Sequence, residues 1–282
     1  MRVHCYTAQM NYVDASDADD LRDGAIKLHG PEGFEGMRKA GQLSAKCLDM
    51  LAPLVQPGVT TAALDQKIYE FAMDHGALPA TLGYRGYKHS VCTSINHVVC
   101  HGIPNDKPLK EGDSVNCDVT LIVDGWHGDT SRMYVAGEPD RKTERLINIT
   151  YDALMMGIAE AKPGNTTGDI GYAIQKYAEG ERCSVVTDFC GHGIGKLFHD
   201  APNILHFGRK GEGEVLREGM FFTIEPMINL GKPDVKILSD GWTAVTRDRK
   251  LTAQFEHSIG ITKDGAEIFT ASPKGLNRPP YA

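Results

Sequence analysis

The residues most able to do chemistry in this 282-residue sequence are two acids at equivalent places in an internal repeat. The stretch LKEGDSVNCDVTL, which begins at Leu109, aligns with LREGMFFTIEPMI, which begins at Leu216, and the alignment places Asp118 opposite Glu225. Two carboxylates held close together repel each other and retain their protons unless a cation lies between them. The repeated acids therefore predict a metal centre.

The repeat extends well beyond these acids. The stretch PGVTTAALDQKIYEFA from Pro57 matches PGNTTGDIGYAIQKYA from Pro163 at an offset of 106 residues, against 107 for the acidic segment. A self-match of this length predicts two similar half-domains, about 34–142 and 143–269, packed around a pseudo-twofold axis. The acids of both halves then meet near that axis.

A third acid follows from a predicted hairpin. Asp124 and Gly125 form a strong two-residue turn signal, and a turn of that type sets Thr120 opposite Asp129. Asp118 and Asp129 then lie on one face as diagonal neighbours, roughly 7–8 Å apart at the backbone. A slip of one residue would put them on opposite faces, so this register is testable. The opposite face is apolar, with Val115, Cys117, Val119, Leu121 and Val123.

A fourth acid and a histidine complete the candidate site. Glu256 projects from a segment whose other face is apolar, and glycines flank His192 in GHGIG. Glycine permits close backbone approach, so we expect His192 to face a ligand or metal instead of a side-chain core. Four carboxylates and one imidazole favour Mn, Fe, Co or Zn, and the four negative charges suit two ions better than one.

At these residues the sequence resembles a known family, the type I methionine aminopeptidases, which are metallopeptidases of the pita-bread fold. The similarity covers about residues 33–269. It rests on the motifs VCTSINHVVCHGIP, NCDVTLIVDGWHGDTS, GHGIG, FHDAP, FTIEPM and QFEHS. The resemblance implies an α+β fold with two pseudo-twofold-related halves, a curved antiparallel sheet and helices on its outside.

The resemblance also implies how the metals are held. Asp118 would chelate one of two divalent ions (Co, Mn, Fe or Zn), and His192 and Glu225 would bind the other. Asp129 and Glu256 would bridge both ions. The nucleophile would be a hydroxide between the ions, available near neutral pH because the cations lower the pKa of bound water.

Three residues would act on the peptide. The resemblance implies that Glu225 also accepts the proton of the attacking water. His199 would donate a hydrogen bond to the scissile carbonyl oxygen, and His101 would contact the substrate near the scissile nitrogen. The expected reaction is removal of the N-terminal methionine from nascent proteins and peptides whose second residue is small.

Other positions match the family's substrate pocket and a cation site. The methionine pocket would be lined by Tyr84, Tyr87, Cys92, Phe198 and Trp242. A monovalent cation site is expected near Asn96, Val98 and Thr252. Thr81 stands where some relatives have cysteine, which leaves its effect on pocket selectivity open.

The elements that must position these residues can be predicted from periodicity. Thr60 and Thr61 cap one helix, and Thr166 with Asp169 resembles a capping box for another. Strand-like alternation follows each pair of helices. Small or apolar residues at helical spacing occur at Met37, Ala40, Ser44, Cys47 and Leu51, at Leu64, Ile68 and Ala72, and at Ile147, Tyr151, Leu154 and Ile158. Two rounds of helices followed by strands predict an α+β sheet with its helices on the outer face.

Composition sets the remaining bounds. Residues 1–30 read as an acidic, weakly ordered extension without a signal peptide, followed by one catalytic domain over 31–282. A net charge of −7 and the absence of a basic run argue against nucleic-acid binding. Seven scattered cysteines without a Cys-x-x-Cys pair fit reduced thiols in the cytoplasm. No segment is apolar enough to cross a membrane. We expect a monomer whose partners are nascent N-terminal methionines and the ribosome surface.

Three alternatives compete with this interpretation. A proline-specific peptidase of the same fold would carry a large N-terminal domain, where this sequence has only about 30 residues. A type II methionine aminopeptidase would carry an insertion, for which the interval from His199 to Glu225 leaves little room. A non-catalytic binding protein of this fold would be expected to lose metal ligands, and all five are present.

Overall fold

Four helices form in the part of the chain that the computed structural model describes, residues 11–16 and 24–281. They are α1 (Pro31–Leu51), α2 (Thr61–Asp74), α3 (Arg141–Glu160) and α4 (Thr167–Gly180), with a short 3-10 helix at Tyr84–Gly86. The caps predicted at Thr60 and Thr166 are confirmed, since Thr60 accepts a hydrogen bond from the N–H of Ala63 and Thr166 forms a capping box with Asp169. Thr61 is not a cap but the first residue of α2. No helix among these residues is long and apolar enough to span a membrane.

The described residues also form seventeen strands. In chain order they are β1 (Tyr12–Asp14), β2 (Ile26–Leu28), β3 (Leu78–Pro79), β4 (Cys92–Ile95), β5 (Val98–Cys100), β6 (Ser114–Val123), β7 (Trp126–Val135), β8 (Ser184–Val185), β9 (Gly191–Gly193), β10 (Asp200–Ile204), β11 (Phe221–Ile224), β12 (Met227–Asn229), β13 (Val235–Ile237), β14 (Ala244–Thr246), β15 (Thr252–Gln254), β16 (Glu256–Thr262) and β17 (Gly265–Ile268).

The largest sheet joins both halves of the repeat. Its order is β10-β9-β11-β16-β7-β6-β3, with β4 added on β6 and β17 on β16. The strands of the two halves meet where β16 pairs with β7, with Glu256 opposite Ser131. The predicted hairpin register is confirmed, because Thr120 lies opposite Asp129 in the β6–β7 ladder. The α+β architecture with a curved antiparallel sheet is likewise as predicted.

The helices cover one face of this sheet and bury its apolar side chains. In the first half, Leu48 of α1 and Ile68 of α2 pack in one cluster with Val119 and Leu121 of β6. In the second half, Leu154 of α3 joins residues of α4, β11 and β16 in another cluster. Burying this face leaves the opposite, polar face of the strands for the site.

The two halves differ at one strand. β6 runs unbroken over ten residues through Asp118. The equivalent strand of the second half ends at Ile224 and resumes at Met227, which leaves Glu225 and Pro226 outside the ladder. Proline has no N–H to donate, so a ladder is interrupted where it occurs. The strand of the second half therefore ends two residues before Pro226.

The N-terminal segment is more closely packed than an acidic tail suggests. The predicted extension lies outside the described residues at 1–10 and 17–23, but β1 and β2 pair in parallel. Ile26 is only 1% exposed and belongs to the core cluster of the second half. His29 stacks on Phe221 with ring centroids 4.3 Å apart, and Lys27 forms an ion pair with Asp200. A domain boundary at residue 30 stays a prediction, and residues 26–29 pack against the predicted domain.

Candidate metal centre

Five side chains from five different strand segments converge at the middle of the large sheet. Asp118 lies within β6 and Asp129 within β7, Glu225 directly follows β11, Glu256 begins β16, and His192 lies in β9. All five line one cavity of about 350 Å³. The ligand set predicted from the sequence is therefore brought together in space.

Asp129 is held firmly by neighbouring hydroxyls. The hydroxyl of Thr120, its cross-strand partner, donates a 2.6 Å hydrogen bond to Asp129 Oδ1. The hydroxyl of Ser258 accepts the Asp129 N–H at 3.2 Å and donates to its carbonyl oxygen at 2.6 Å. Asp118 lies opposite Ser131, two residues from the Thr120–Asp129 pair, so the two aspartates share one face.

His192 presents one ring nitrogen to the acids. Its Nδ1 lies 3.0 Å from the carbonyl oxygen of Gly193, so Nδ1 carries the proton and donates, and Nε2 keeps its lone pair. Nε2 lies 3.6 Å from both Asp129 Oδ2 and Glu225 Oε1. An imidazole fixed by a backbone acceptor at one nitrogen is the usual arrangement of a metal-binding histidine.

The glycines beside His192 allow strands to approach closely. A Cβ at Gly191 would lie 2.3 Å from the carbonyl oxygen of Thr223, and one at Gly193 would lie 1.9 Å from that of Ala201. The expected reason for these glycines is confirmed as close approach. His192 is only 9% exposed, so it reaches the cavity from within the sheet and not from an exposed loop.

Without a cation, the ionised form of each of the four acids is unfavourable. Burial raises the pKa of Asp118 to about 7. Burial, followed by the repulsion of neighbouring carboxylates, raises the pKa values of Asp129, Glu225 and Glu256 well above their usual range. Ligand atoms of Asp129, His192 and Glu256 lie within 4.8 Å of one another. A cluster of buried and half-buried acids around an oriented imidazole fits divalent metal ions in charge and in donor type.

Glu225 is held from three sides although it lies outside the ladder. The hydroxyl of Thr223 donates to Oε1 at 2.8 Å, and the amide of Gln254 donates to Oε2 at 3.3 Å. The backbone N–H of Glu225 donates to Nε2 of His206 at 3.0 Å. The same Thr223 hydroxyl accepts the backbone N–H of His192 at 3.1 Å, which ties the two predicted ligands of one metal together.

Aromatic rings and imidazoles form the wall of the cavity. His199 stacks on Tyr84 at 5.1 Å and lies 4.1 Å from the ring of Phe198. On another wall, His101 meets Phe189 edge-on at 5.4 Å, and burial lowers its pKa, which keeps it neutral. The predicted pocket residues, Tyr84, Tyr87, Cys92, Phe198 and Trp242, all line this cavity together with His101 and His199.

Thr81, the departure from the family pattern, lines the same cavity. It is 8% exposed, and its hydroxyl donates a 3.0 Å hydrogen bond to the carbonyl oxygen of His89. His89 is in turn paired with Asp65 at 2.6 Å. Thr81 thus ties the segment that carries Tyr84 and Tyr87 to α2.

Sequence reasoning missed several residues of the site. Arg85, Cys100, Asp188, Phe189, Cys190, Met227 and Gln254 also line the cavity. Phe189 and Cys190 directly precede GHGIG, and Cys100, Met227 and Gln254 lie within VCTSINHVVCHGIP, FTIEPM and QFEHS, so those motifs were an available signal. Thr223 precedes Glu225 by two residues and was available in the same way. His206 lies outside every motif and carried no such signal.

The residues expected to hold a monovalent cation lie apart from the cavity lining. The carbonyl oxygen of Asn96 accepts the N–H of Thr252 at 3.0 Å, and Val98 begins β5. The hydroxyl of Thr252 is buried and has no hydrogen-bond partner among the described residues. An unpaired buried hydroxyl agrees with a bound cation, and the site stays a prediction.

Known proteins resemble this chain closely. A model of the metallopeptidase family M24 matches residues 35–263. Methionine aminopeptidase of Rickettsia prowazekii (strain Madrid E) is 60% identical over 258 residues, which cover 91% of this chain and 99% of that protein. A crystal structure of methionine aminopeptidase from Rickettsia prowazekii matches with a TM-score of 0.86 and 59% identity, covering 87% of this chain and 99% of the other.

The proline-specific alternative has weaker support. Prolidase from Pyrococcus furiosus matches with a TM-score of 0.69 and 22% identity, and the match covers 86% of this chain and only 65% of that one. Identity at this level shows a shared fold alone. The chain therefore belongs to the M24 metallopeptidases and, within them, to the methionine aminopeptidases.

Proposed function

We propose that this chain removes the N-terminal methionine of nascent polypeptides whose second residue is small, with two divalent metal ions held by Asp118, Asp129, His192, Glu225 and Glu256. One observation carries the proposal. Two buried acids, two half-buried acids and the Nε2 of His192 converge at a cavity that several aromatic rings also line. The cavity volume of about 350 Å³ lies within the range of small-ligand sites.

The donor set supports this assignment of the metals. Asp118 would hold one ion, His192 and Glu225 the other, and Asp129 and Glu256 both. When bound, the ions supply Lewis-acid chemistry, which makes a water molecule nucleophilic near neutral pH. Oxygen and imidazole donors admit Co, Mn, Fe or Zn.

The chain's own residues then act on the substrate. Glu225 accepts the proton of the attacking water, for which hydrogen bonds from Thr223 and Gln254 fix its two oxygens. His199, whose ring contacts those of Tyr84 and Phe198, donates a hydrogen bond to the scissile carbonyl oxygen and stabilises negative charge as it develops there. His101 contacts the substrate near the scissile nitrogen.

The pocket chemistry favours methionine as the first residue. Tyr84, Tyr87, Phe198 and Trp242 with the Cys92 thiol suit a flexible thioether, which makes favourable contacts with aromatic rings. A charged side chain would lose its hydration there without gaining a partner. The ribosome contact, monomeric state and cytoplasmic location expected from the sequence remain part of this proposal.

The test combines metal removal with a peptide panel. We expect chelation to abolish hydrolysis of Met-Ala-Ser and Mn, Co or Fe to restore it. With metal present, kcat/KM should be highest for Met-Ala-Ser, and Lys-Ala-Ser and Met-Lys-Ser should be poor substrates. Full activity in metal-free protein would refute the metal assignment. Preference for Ala-Pro peptides would instead support the proline-specific alternative.

A further inference from the structure

A fully buried histidine that belongs to no motif contacts the backbone of one candidate metal ligand, Glu225. His206 follows β10 and is 0% exposed. Its Nε2 lies 3.0 Å from the backbone nitrogen of Glu225, and a backbone N–H can only donate, so the imidazole is the acceptor. No role has been assigned to His206 in the proposed function of the site.

The contact occurs where the sheet cannot supply a partner. The ladder between β11 and β16 ends with Ile224 opposite His257, and pairing resumes with Met227 opposite Gln254. Within this gap Glu225 has an N–H and Pro226 has none. A buried N–H without a partner is unfavourable, so the gap requires an acceptor from elsewhere in the fold. His206 supplies it across 19 residues of sequence.

The tautomer of His206 indicates that this position needs a hydrogen-bond acceptor. Because Nε2 accepts, the proton of the neutral imidazole lies on Nδ1. Nδ1 is buried and has no hydrogen-bond partner among the described residues. A residue that only filled space would be better apolar, since an unpaired buried donor is unfavourable. The bond to Glu225 offsets that disadvantage.

We propose that His206 is a positioning residue for Glu225. It fixes the backbone from which the carboxylate extends, while Thr223 and Gln254 fix the carboxylate itself. Glu225 is then already oriented toward His192, 3.6 Å away, before a metal arrives. This inference rests on the proposed role of Glu225 as a metal ligand and proton acceptor.

The test uses three substitutions that differ in where they place an acceptor. Glutamine reaches as far from the backbone as Nε2 of histidine, asparagine reaches only as far as Nδ1, and leucine offers no acceptor. Co²⁺ binding to metal-free protein, followed by visible absorption and calorimetry, reports the site without turnover. We expect His206→Leu and His206→Asn to weaken Co²⁺ binding by roughly 10–100-fold. With saturating metal, kcat for Met-Ala-Ser should fall and KM should change little. His206→Gln should recover most of both losses.

Two outcomes would overturn the inference. Equal Co²⁺ affinity and kcat in His206→Leu and the unsubstituted protein would show that the bond has no effect. Equal losses in the Gln and Asn variants would indicate a packing role instead, and this pair decides the matter if the leucine variant does not fold. Glu225→Gln in the same Co²⁺ assay separates the two proposals. Unchanged Co²⁺ affinity there would refute the ligand role of Glu225 itself, and the inference with it.

Discussion

The two halves of the molecule present equivalent acids on differently built strands. In the first half, Asp118 lies within the unbroken strand β6, paired with Cys92 of β4 on one side and Ser131 of β7 on the other. In the second half, Glu225 lies in the gap between β11 and β12. Position 119 of the first half is valine, and the equivalent position of the second half is Pro226.

This difference shows two ways of holding a ligand. Asp118 is placed by main-chain pairing with both neighbouring strands, which fixes its side-chain direction through the register. Glu225 has lost that pairing and is held by hydrogen bonds from Thr223, Gln254 and His206. Outside the ladder, the direction of a side chain is no longer set by strand register. This suits Glu225, the one acid that is proposed to accept a proton as well as bind metal.

The largest expected effect is a difference in kcat between substitutions of Glu225 and of Asp118. Glu225→Gln should lower kcat by more than the roughly 10²–10⁴-fold of general base catalysis, because it also removes a ligand charge. Asp118→Asn removes only a ligand charge, so its loss should be smaller once metal is saturating. Steady-state kinetics on Met-Ala-Ser across a metal titration measures both. Equal losses at saturating metal would contradict a special role for Glu225.

A second comparison concerns the two imidazoles that line the cavity, His199 and His101. His199 comes from the second half and stacks on Tyr84, whereas His101 comes from the first half and meets Phe189. His199→Ala should lower kcat by on the order of 10²–10³-fold, the usual loss for one donor to a developing oxyanion. The effect of His101→Ala should appear more in KM. Retention of normal kcat by His199→Ala would refute its assignment.

Exchanging the residues that distinguish the strands should affect stability asymmetrically. Val119→Pro places proline in the middle of β6, where Val119 is fully buried opposite Thr130, and removes a backbone donor. We expect the free energy of unfolding to fall by on the order of 2 kcal/mol, the penalty for an unpaired buried carbonyl. Pro226→Val breaks no ladder hydrogen bond, because pairing is already interrupted at this position, so its effect should be smaller.

Urea unfolding of the two variants with metal absent gives the comparison, since bound metal would mask differences in the chain itself. A Val119→Pro protein as stable as Pro226→Val would mean that pairing within β6 does not hold Asp118 in place. The contrast between the halves would then lie in their side chains alone.

Much of this arrangement could be predicted because its causes are local. The Asp124–Gly125 turn sets the register that puts Asp118 and Asp129 on one face, and the capping box at Thr166 begins α4. The contact of His206 with Glu225 could not be predicted, because it joins residues far apart in sequence and has no periodicity or motif. A single buried hydrogen bond between distant residues leaves no local pattern.

The packing of residues 26–29 was missed for a related reason. The many aspartates before residue 24 predict a solvated tail, and that average conceals a short apolar stretch around Ile26. Burial of Ile26 in the core depends on the groove that the second half offers, and not on its immediate neighbours in sequence.

The smallest predicted effect concerns a contact between the halves. His29 stacks on Phe221 of β11 and meets Trp126 of β7 edge-on at 5.6 Å. Burial, with a further contribution from Lys27, lowers the pKa of His29 to about 4. An unfolded chain binds that proton near pH 6.5, so between pH 6.5 and 4 the unfolded state holds more protons than the folded state. Stability from this contact is therefore complete above about pH 6.5 and is lost as the pH falls toward 4.

Between pH 6.5 and 5.5 the loss due to His29 should be on the order of 1 kcal/mol. The other titrating groups are common to the protein and its His29→Phe variant, so their contributions cancel in the difference. Phenylalanine keeps a ring against Phe221 and Trp126 but cannot take up a proton. Urea unfolding of metal-free protein at the two pH values should show a smaller acid-induced loss in the variant. Parallel losses in both proteins would mean that the pKa of His29 is the same in the folded and unfolded states, and that this ring does not join the two halves in a pH-dependent way.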